Sequence, residues 1–241
     1  MTPERRRFLG WGAAAAAGVA LAPGLRLIEL ALARSPEEAA SALQRWGLLI
    51  DVEKCADCDA CVTACHEENG VIGQGRPATD AQWIRKASLR DRATGHVQTL
   101  PLMCQHCEHP PCVDVCPTGA SFRRADGIVL VDKHTCIGCR YCVMACPFGA
   151  RSFIHEPVTG QKPDVPRGKG TVESCTLCVH RVDRGETPAC VVACNRDGRG
   201  AMAFGDLNDA GSEIHARLRR EPSTALRPDL ALNPGVRYQH L

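Results

Sequence analysis

The chain has 241 residues with a formal net charge of +2, and 23% of its residues are charged while only 4% are aromatic. This balance excludes the strongly basic surface of a nucleic-acid-binding protein, and the length fits one large or two small domains. Beyond the N-terminal segment, no run of residues is apolar enough to cross a bilayer. The sixteen cysteines are therefore the most informative feature of the composition.

The N-terminal segment has the pattern of an export signal. Residues 5–7 are arginines, followed by Phe8, Leu9 and a weakly apolar Ala/Gly run that is shorter than the roughly 20 residues a membrane span needs. This order is typical of a twin-arginine signal, with an ordinary Sec signal or a short anchor as the alternatives. We therefore predict a signal peptide over residues 1–33 and a periplasmic mature chain over 34–241, whose formal charge is zero.

The cysteines form four groups of four, with none left over. In an exported chain they could form disulfides, and paired C-x-x-C units could bind zinc. However, "CIGCRYCVMACP" matches the C-x2-C-x2-C-x3-C-P run of bacterial ferredoxins, which three closely spaced cysteines and a fourth before proline define. We therefore predict four 4Fe-4S clusters. The groups are Cys55, Cys58, Cys61 and Cys65; Cys104, Cys107, Cys112 and Cys116; Cys136, Cys139, Cys142 and Cys146; and Cys175, Cys178, Cys190 and Cys194.

The predicted ligand sets cross between groups, because in two-cluster ferredoxins the fourth cysteine ligates the other cluster. The second and third groups are close in the chain and both end in Cys-Pro, so they pair with each other. The first and fourth groups then pair across the chain. The predicted sets are Cys104, Cys107, Cys112 and Cys146; Cys116, Cys136, Cys139 and Cys142; Cys55, Cys58, Cys61 and Cys194; and Cys65, Cys175, Cys178 and Cys190.

Local patterns predict an α+β fold made of two ferredoxin-like modules, with short strands before or after the cysteine groups and a helical turn after each third cysteine. Strands are predicted in "WGLLIDVEKC", "GIVLVDKHTC", "ARSFI" and "AMAFGDL". Further helices are predicted near Ser35 and over about Ser212–Arg220. The module 98–155 is expected to lie inside a module formed by 46–97 and 156–205, followed by a tail over 206–241.

Several other side chains near the cysteines can be interpreted either as ordinary surface or packing residues or as functional residues. Lys133, Arg140 and Arg151 could tune cluster potentials, but each is expected to be a solvated surface charge. Tyr141 is expected to serve in packing rather than as an electron relay. His66 and His106 lie beside ligand cysteines and are expected to be neighbours of the sites and not ligands, because cysteines fill each site.

The four-group arrangement over residues 46–241 resembles the iron–sulfur subunits of molybdopterin and membrane quinone oxidoreductases, such as those of dimethyl sulfoxide, polysulfide, tetrathionate and nitrite reduction systems. Within that family, "CIGCRYCVMACPFGARSF", "RGKGTVESCTLC", "PACVVACN" and "FGDLNDAGSEI" look most like the periplasmic subunits of membrane complexes associated with dissimilatory sulfite reductase. The first and fourth groups end in Cys65-His66 and Cys194-Asn195, without the proline that relatives often have after the last cysteine of the fourth group, and "NRDGRGAMAF" looks locally extended.

This resemblance implies an electron-transfer subunit and not a catalytic one. Its implied partners are an integral membrane quinone-interacting subunit and a periplasmic multihaem cytochrome c, within a hetero-oligomeric complex of sulfur metabolism. A second interpretation places the same fold in a periplasmic molybdopterin oxidoreductase or nitrite reductase system. A zinc- or disulfide-containing exported protein without a redox role is the third.

Overall fold

The structure is a computed structural model, and it describes residues 40–55, 58–76 and 78–241. The predicted signal peptide over 1–33 and the start of the helix predicted near Ser35 lie outside these residues. Residues 40–45 contain a turn and no helix. Within the described ranges, no helix is both long and apolar enough to cross a membrane.

The described residues form short helices and short strands, so the α+β prediction is confirmed at that level. The helices are α1 Ala60–Asn69, α2 Pro111–Asp114, α3 Tyr141–Ala145, α4 Val179–Val182, α5 Ala189–Arg196 and α6 Glu213–Arg220. The strands are β1 Trp46–Asp51, β2 Ile84–Arg90, β3 Val97–Met103, β4 Ser121–Arg123, β5 Val129–Val131, β6 Ser152–Phe153, β7 Val172–Glu173, β8 Met202–Asp206 and β9 Val236–Gln239.

The largest sheet joins distant parts of the chain around β1. Strand β8 pairs with β1 in the antiparallel direction, and β9 from the C-terminal tail pairs with it in parallel. Three two-stranded antiparallel sheets accompany it: β2–β3, β4–β5 and β6–β7. The four strands predicted from sequence are present as β1, β5, β6 and β8, whereas β2, β3, β4, β7 and β9 were not predicted.

Strand β1 is buried on both faces because apolar residues occupy consecutive positions. Successive side chains of a strand point to opposite faces. Leu48 and Ile50 therefore pack into the main core, while Leu49 packs on the other face with Ala203 and Ile214 of α6. Helix α6 begins where sequence predicted it, with the Ser212 hydroxyl accepting from the backbone N–H of His215.

The C-terminal tail closes back on the strand that leads into the first cysteine group. His240 Nδ1 lies 2.9 Å from a carboxylate oxygen of the buried Asp51, which also pairs with Lys54 at 2.9 Å. Burial opposes the Asp51 charge, but hydrogen bonds from Lys54 and His240 lower the net pKa of that carboxyl. The hydrogen bond to Asp51 raises the pKa of His240 above its usual value. The ion pair therefore fixes the tail to β1.

We expect the attachment of the tail to depend on pH. The His240 contribution is complete below about pH 6.5, the usual histidine pKa, and is lost as pH rises through the raised value. The Asp51 contribution is present above about pH 3.9 and is lost as pH falls through its lowered pKa. Proteolysis of the tail in the holoprotein should therefore accelerate from pH 6 to pH 9. His240→Gln should remove this dependence, while His96→Gln in the exposed hairpin turn should leave it intact; an unchanged profile in His240→Gln contradicts the assignment.

Candidate metal centres

Two helices that pack against each other bring cysteines of the first and fourth groups close together. Helix α1 presents Cys61 and Cys65, and helix α5, which packs against it, presents Cys190 and Cys194. Residues four apart lie on one helical face about one turn apart. The structure places Cys61 beside Cys194 in one cavity lining, and Cys65 close enough to Cys190 for the charge of Cys190 to act on the Cys65 thiol. One helical turn in each helix therefore separates two thiol sites.

The second and third groups repeat this arrangement on shorter helices. Helix α2 carries Cys112 and is followed by Cys116, while helix α3 carries Cys142 and is followed by Cys146. Helices α2 and α3 pack against each other. The charge of Cys146 acts on Cys112 and that of Cys116 acts on Cys142, so the crossing pattern recurs.

The thiols gather into four sets, with the members that spacing predicts as ligands of each cluster. Three sets surround cavities, each enclosing about 270 to 310 Å³ of empty space. The three cavity-lining sets are Cys104, Cys107, Cys112 and Cys146; Cys116, Cys136, Cys139 and Cys142; and Cys55, Cys58, Cys61 and Cys194. In the remaining set, burial and then the charges of Cys175, Cys190 and Cys178 raise the pKa of Cys65. Ligation of iron by these sets stays a prediction.

All sixteen cysteines are free thiols, and ten of them are buried. Burial, and then neighbouring thiols, raises the pKa of Cys61, Cys104 and Cys107 to about 12. Without a ligand, these three thiols are therefore protonated at neutral pH. Nowhere in the described part of the chain do three His, Cys, Asp or Glu side chains group closely enough to hold one metal ion.

Backbone N–H groups point at several of the sulfur atoms. Ser121 donates to Cys116 at 3.3 Å, and Leu177 donates to Cys175 at 3.4 Å. Similar 3.5 Å contacts reach Cys136 from Val172 and Cys146 from Ala150. Donors aimed at sulfur stabilise negative charge on thiolates and are among the features that set the potential of an iron–sulfur cluster. The thiol sets thus have the surroundings that a 4Fe-4S cluster requires.

The four sets follow one another in a single order. Numbered in this order, the first set contains Cys55, the second Cys65, the third Cys104 and the fourth Cys116. The charge of Cys61 in the first set adds to the raised thiol pKa values of Cys65 and Cys190 in the second. Cys104 of the third set acts on Cys175 of the second, and Cys142 of the fourth acts on Cys112 of the third. The order runs from the set containing Cys55 to the set containing Cys139, which is the one exposed cysteine among the described residues.

A buried amide that sequence reasoning missed belongs to the second set. The Asn69 side chain donates to the backbone oxygen of Cys65 at 2.7 Å, and its nitrogen lies 3.7 Å from Cys65 Sγ and 4.0 Å from Cys178 Sγ. Asn69 follows Cys65 by one helical turn on α1. This i, i+4 spacing was the available signal.

The basic side chains near the second and third groups differ in their surroundings. Arg140 is exposed, as expected, with its guanidinium carbon 5.1 Å from the centroid of the Phe153 ring. Lys133 is partly buried and donates to the backbone oxygen of Val172 at 2.6 Å, and burial lowers its pKa to about 8. Arg151 is buried, so the expectation of a solvated charge was wrong there.

Of the other side chains beside the ligand cysteines, one is exposed and one is buried. Tyr141 is 54% exposed, so the expectation that it packs was wrong. His106 is buried, and its Nδ1 accepts from the backbone N–H of Val129 at 3.1 Å. Burial lowers the pKa of His106 to about 4, which leaves it neutral at physiological pH. It lies next to the third set without belonging to the thiol cluster itself.

Comparison with known families places the cysteine sets in context. Residues 95–207 match a family described as a 4Fe-4S dicluster domain, and residues 54–120 match a second family with the same description. Together these ranges include all sixteen cysteines. Free thiols, sulfur-directed N–H groups and two dicluster matches fit four 4Fe-4S clusters as the cofactors of this chain.

Curated relatives extend along almost the whole chain. Iron-sulfur subunit 1 of an Hdr-like menaquinol oxidoreductase from Archaeoglobus fulgidus is 44% identical, over 99% of this chain and 98% of its own length. A tetrathionate reductase subunit from Salmonella typhimurium is 37% identical over 99% of this chain and 88% of its own length. Protein NrfC from Escherichia coli is 40% identical over 80% of this chain and 79% of its own length. The chain therefore belongs to the family of 4Fe-4S electron-transfer subunits of oxidoreductase complexes.

Proposed function

We propose that this chain is the periplasmic electron-transfer subunit of a sulfur-metabolising membrane complex of the type associated with dissimilatory sulfite reductase. In this proposal it connects an integral membrane subunit that handles quinone with a multihaem cytochrome c. The twin-arginine pattern of residues 5–9 supports export, and the near-complete alignment with a menaquinol oxidoreductase subunit supports the link to quinone.

The proposal includes the four crossing ligand sets and the two modules. The module 98–155 supplies the sets of Cys104 and Cys116, whereas segments 46–97 and 156–205 supply the sets of Cys55 and Cys65. When bound, 4Fe-4S clusters accept and release single electrons. The chain's own contribution is to hold the ligand sulfurs in one linear order, to bury them from water and to direct backbone donors at them.

The linear order of the sets is the observation that carries the proposal. A catalytic subunit needs a substrate pocket, whereas an electron-transfer subunit needs a continuous series of sites with an accessible end. The set of Cys139 provides such an end, because Cys139 is exposed and its neighbours in the chain, Ile137, Tyr141 and Met144, are exposed apolar side chains. Contiguous exposed apolar surface is typical of a protein contact. We assign this end to one of the two electron-transfer partners.

The proposed reaction balances between a quinol and the cytochrome. Oxidation of one quinol to a quinone releases two electrons and two protons, which matches the reduction of two ferric haems, and electron flow in the opposite direction consumes the same numbers. The chain takes up no substrate and retains no proton in this scheme. A molybdopterin or nitrite reductase system is the second candidate, favoured by the similarity to the tetrathionate reductase subunit and to NrfC.

The test is purification of the native complex from the membrane fraction in a mild detergent, followed by identification of the bound subunits. We expect a multihaem cytochrome c and an integral membrane subunit to co-purify with the chain. A bound molybdopterin subunit would instead support the second candidate. Recovery of the chain alone, with all four clusters present, contradicts assignment to a complex but leaves the cluster assignment intact.

A further inference from the structure

Arg151 is a buried cation without a conventional partner. Arg151 is 5% exposed, and its Nε, Nη1 and Nη2 atoms find no nitrogen or oxygen partner within the described structure, while the sulfurs of Cys112 and Cys142 are near enough to accept from its guanidinium. An arginine side chain has five N–H donors and stays ionised in proteins. Burying such a charge without an anion is strongly unfavourable. The site around Arg151 must therefore provide negative charge.

The groups around Arg151 are cysteine sulfurs. It lines the cavity formed by the Cys104 set, and its charge also acts on Cys142 of the neighbouring set. Burial opposes ionisation, yet the pKa of Arg151 is raised above its usual value, because Cys112, Cys104 and Cys142 favour the charged form. One guanidinium therefore faces two different cysteine sets.

The other nearby cations do not occupy this position. Arg140 borders the cavity of the Cys116 set but is exposed against Phe153, so water screens its charge. Arg167 has a carboxylate of its own, since its Nε donates to Glu173 at 3.0 Å. Arg151 is thus the buried guanidinium that the geometry directs at the two sets of the module 98–155.

We propose that Arg151 is a positioning residue that raises the reduction potentials of both clusters held by the Cys104 and Cys116 sets, because its single buried charge lies between them. Reduction adds a negative charge to a cluster, and a neighbouring cation stabilises that added charge. The inference rests on the ligand sets proposed above and is independent of the identity of the partners. A merely structural Arg151 would fix the loop after Cys146 without a specific effect on potential.

The test is a redox titration of the isolated full-length holoprotein, followed by electron paramagnetic resonance, for the parent and for R151M, R151Q and R151K. At a fixed applied potential, we expect R151M and R151Q to reduce the reduced-to-oxidised ratio of two clusters about tenfold, a shift of about 59 mV for one electron. R151K should retain most of the parent ratio, because it keeps the charge. R92M is the control for loss of a positive charge and should leave the potentials unchanged, because Arg92 lies in the exposed turn between β2 and β3.

A measurement on the unsubstituted protein decides the matter if the variants lose iron. Holoprotein labelled with ¹⁵N in its arginine side chains should show ¹⁵N hyperfine coupling to the reduced clusters of the module 98–155, and R151K should lack it. Absence of this coupling in the parent overturns the proposal. Equal potentials in the parent and R151M, or an equal shift of all four clusters, also overturns it. Neither result bears on co-purification with partners, which tests the proposed function separately.

Discussion

Anaerobic removal of iron is expected to unfold residues 40–241 cooperatively. Ten of the sixteen cysteines are buried, and most of these lie in the main hydrophobic core beside Leu48, Trp83 and Tyr238. The helices that present the third and fourth sets, α2 and α3, have only four and five residues, which is far too short for stability on their own. Without iron, the side chains that join these helices lose their common partner.

The free energy of folding that iron binding contributes is expected to exceed what the remaining contacts supply. Structural zinc sites contribute roughly 10–16 kcal/mol in small metallo-domains, while a whole domain is stable by only about 5–15 kcal/mol. Loss of four metal sites therefore removes more free energy than the folded chain has in reserve. We expect loss of the near-ultraviolet circular dichroism signal and of amide exchange protection in β1 and α5 after chelation. Native-like protection in the iron-free chain, with all thiols reduced, would contradict this.

The raised thiol pKa values add a pH dependence to the same experiment. Because iron binding requires thiolates, each ligand such as Cys61 or Cys107 must lose a proton to form the site. Proton release favours reconstitution at higher pH. Iron should therefore be lost faster at pH 5 than at pH 8. This is the opposite of the His240 contact, which weakens as the pH rises.

Cysteine spacing predicts which thiols come together, because the geometry within each group is local. In α1 and α5, a spacing of four residues fixes two thiols one turn apart on one face, and this relation holds whatever the helices pack against. The partners in sequence-distant groups followed from the ferredoxin rule that the fourth cysteine crosses over. The structure places Cys65 beside Cys190 and Cys61 beside Cys194, which is the proximity that the rule requires.

What sequence failed to predict depends on contacts between distant segments. Strand β9 has little local strand signal, and it exists because Leu48–Asp51 offers an open edge to Val236–Gln239. The burial of Arg151 depends on how two cysteine groups close around it, which spacing alone does not describe. Tyr141 lies within a cysteine loop but on its outer side, and the sequence pattern carries no information about that side.

We expect cysteine variants that are distant in sequence to affect the same cluster, and variants that are close in sequence to affect different clusters. In the proposed sets, Cys65 and Cys190 hold one cluster, while Cys61 and Cys194 hold another. Cys65→Ser and Cys190→Ser should therefore alter the same spectroscopic species. Cys61→Ser and Cys194→Ser should alter a different one. Each single change should remove or convert one cluster of four, because serine offers a weaker ligand in place of the thiolate.

Mössbauer and electron paramagnetic resonance spectra of anaerobically purified variants, with iron counted per chain, distinguish the two patterns. Val192→Ser is the matched control, because Val192 lies on α5 between Cys190 and Cys194 and is largely outside the core. If ligation followed sequence groups, Cys61→Ser and Cys65→Ser would instead alter one species in common. That outcome would mean that α1 serves a single site, and the close approach of Cys194 to Cys61 would then have no role in ligation.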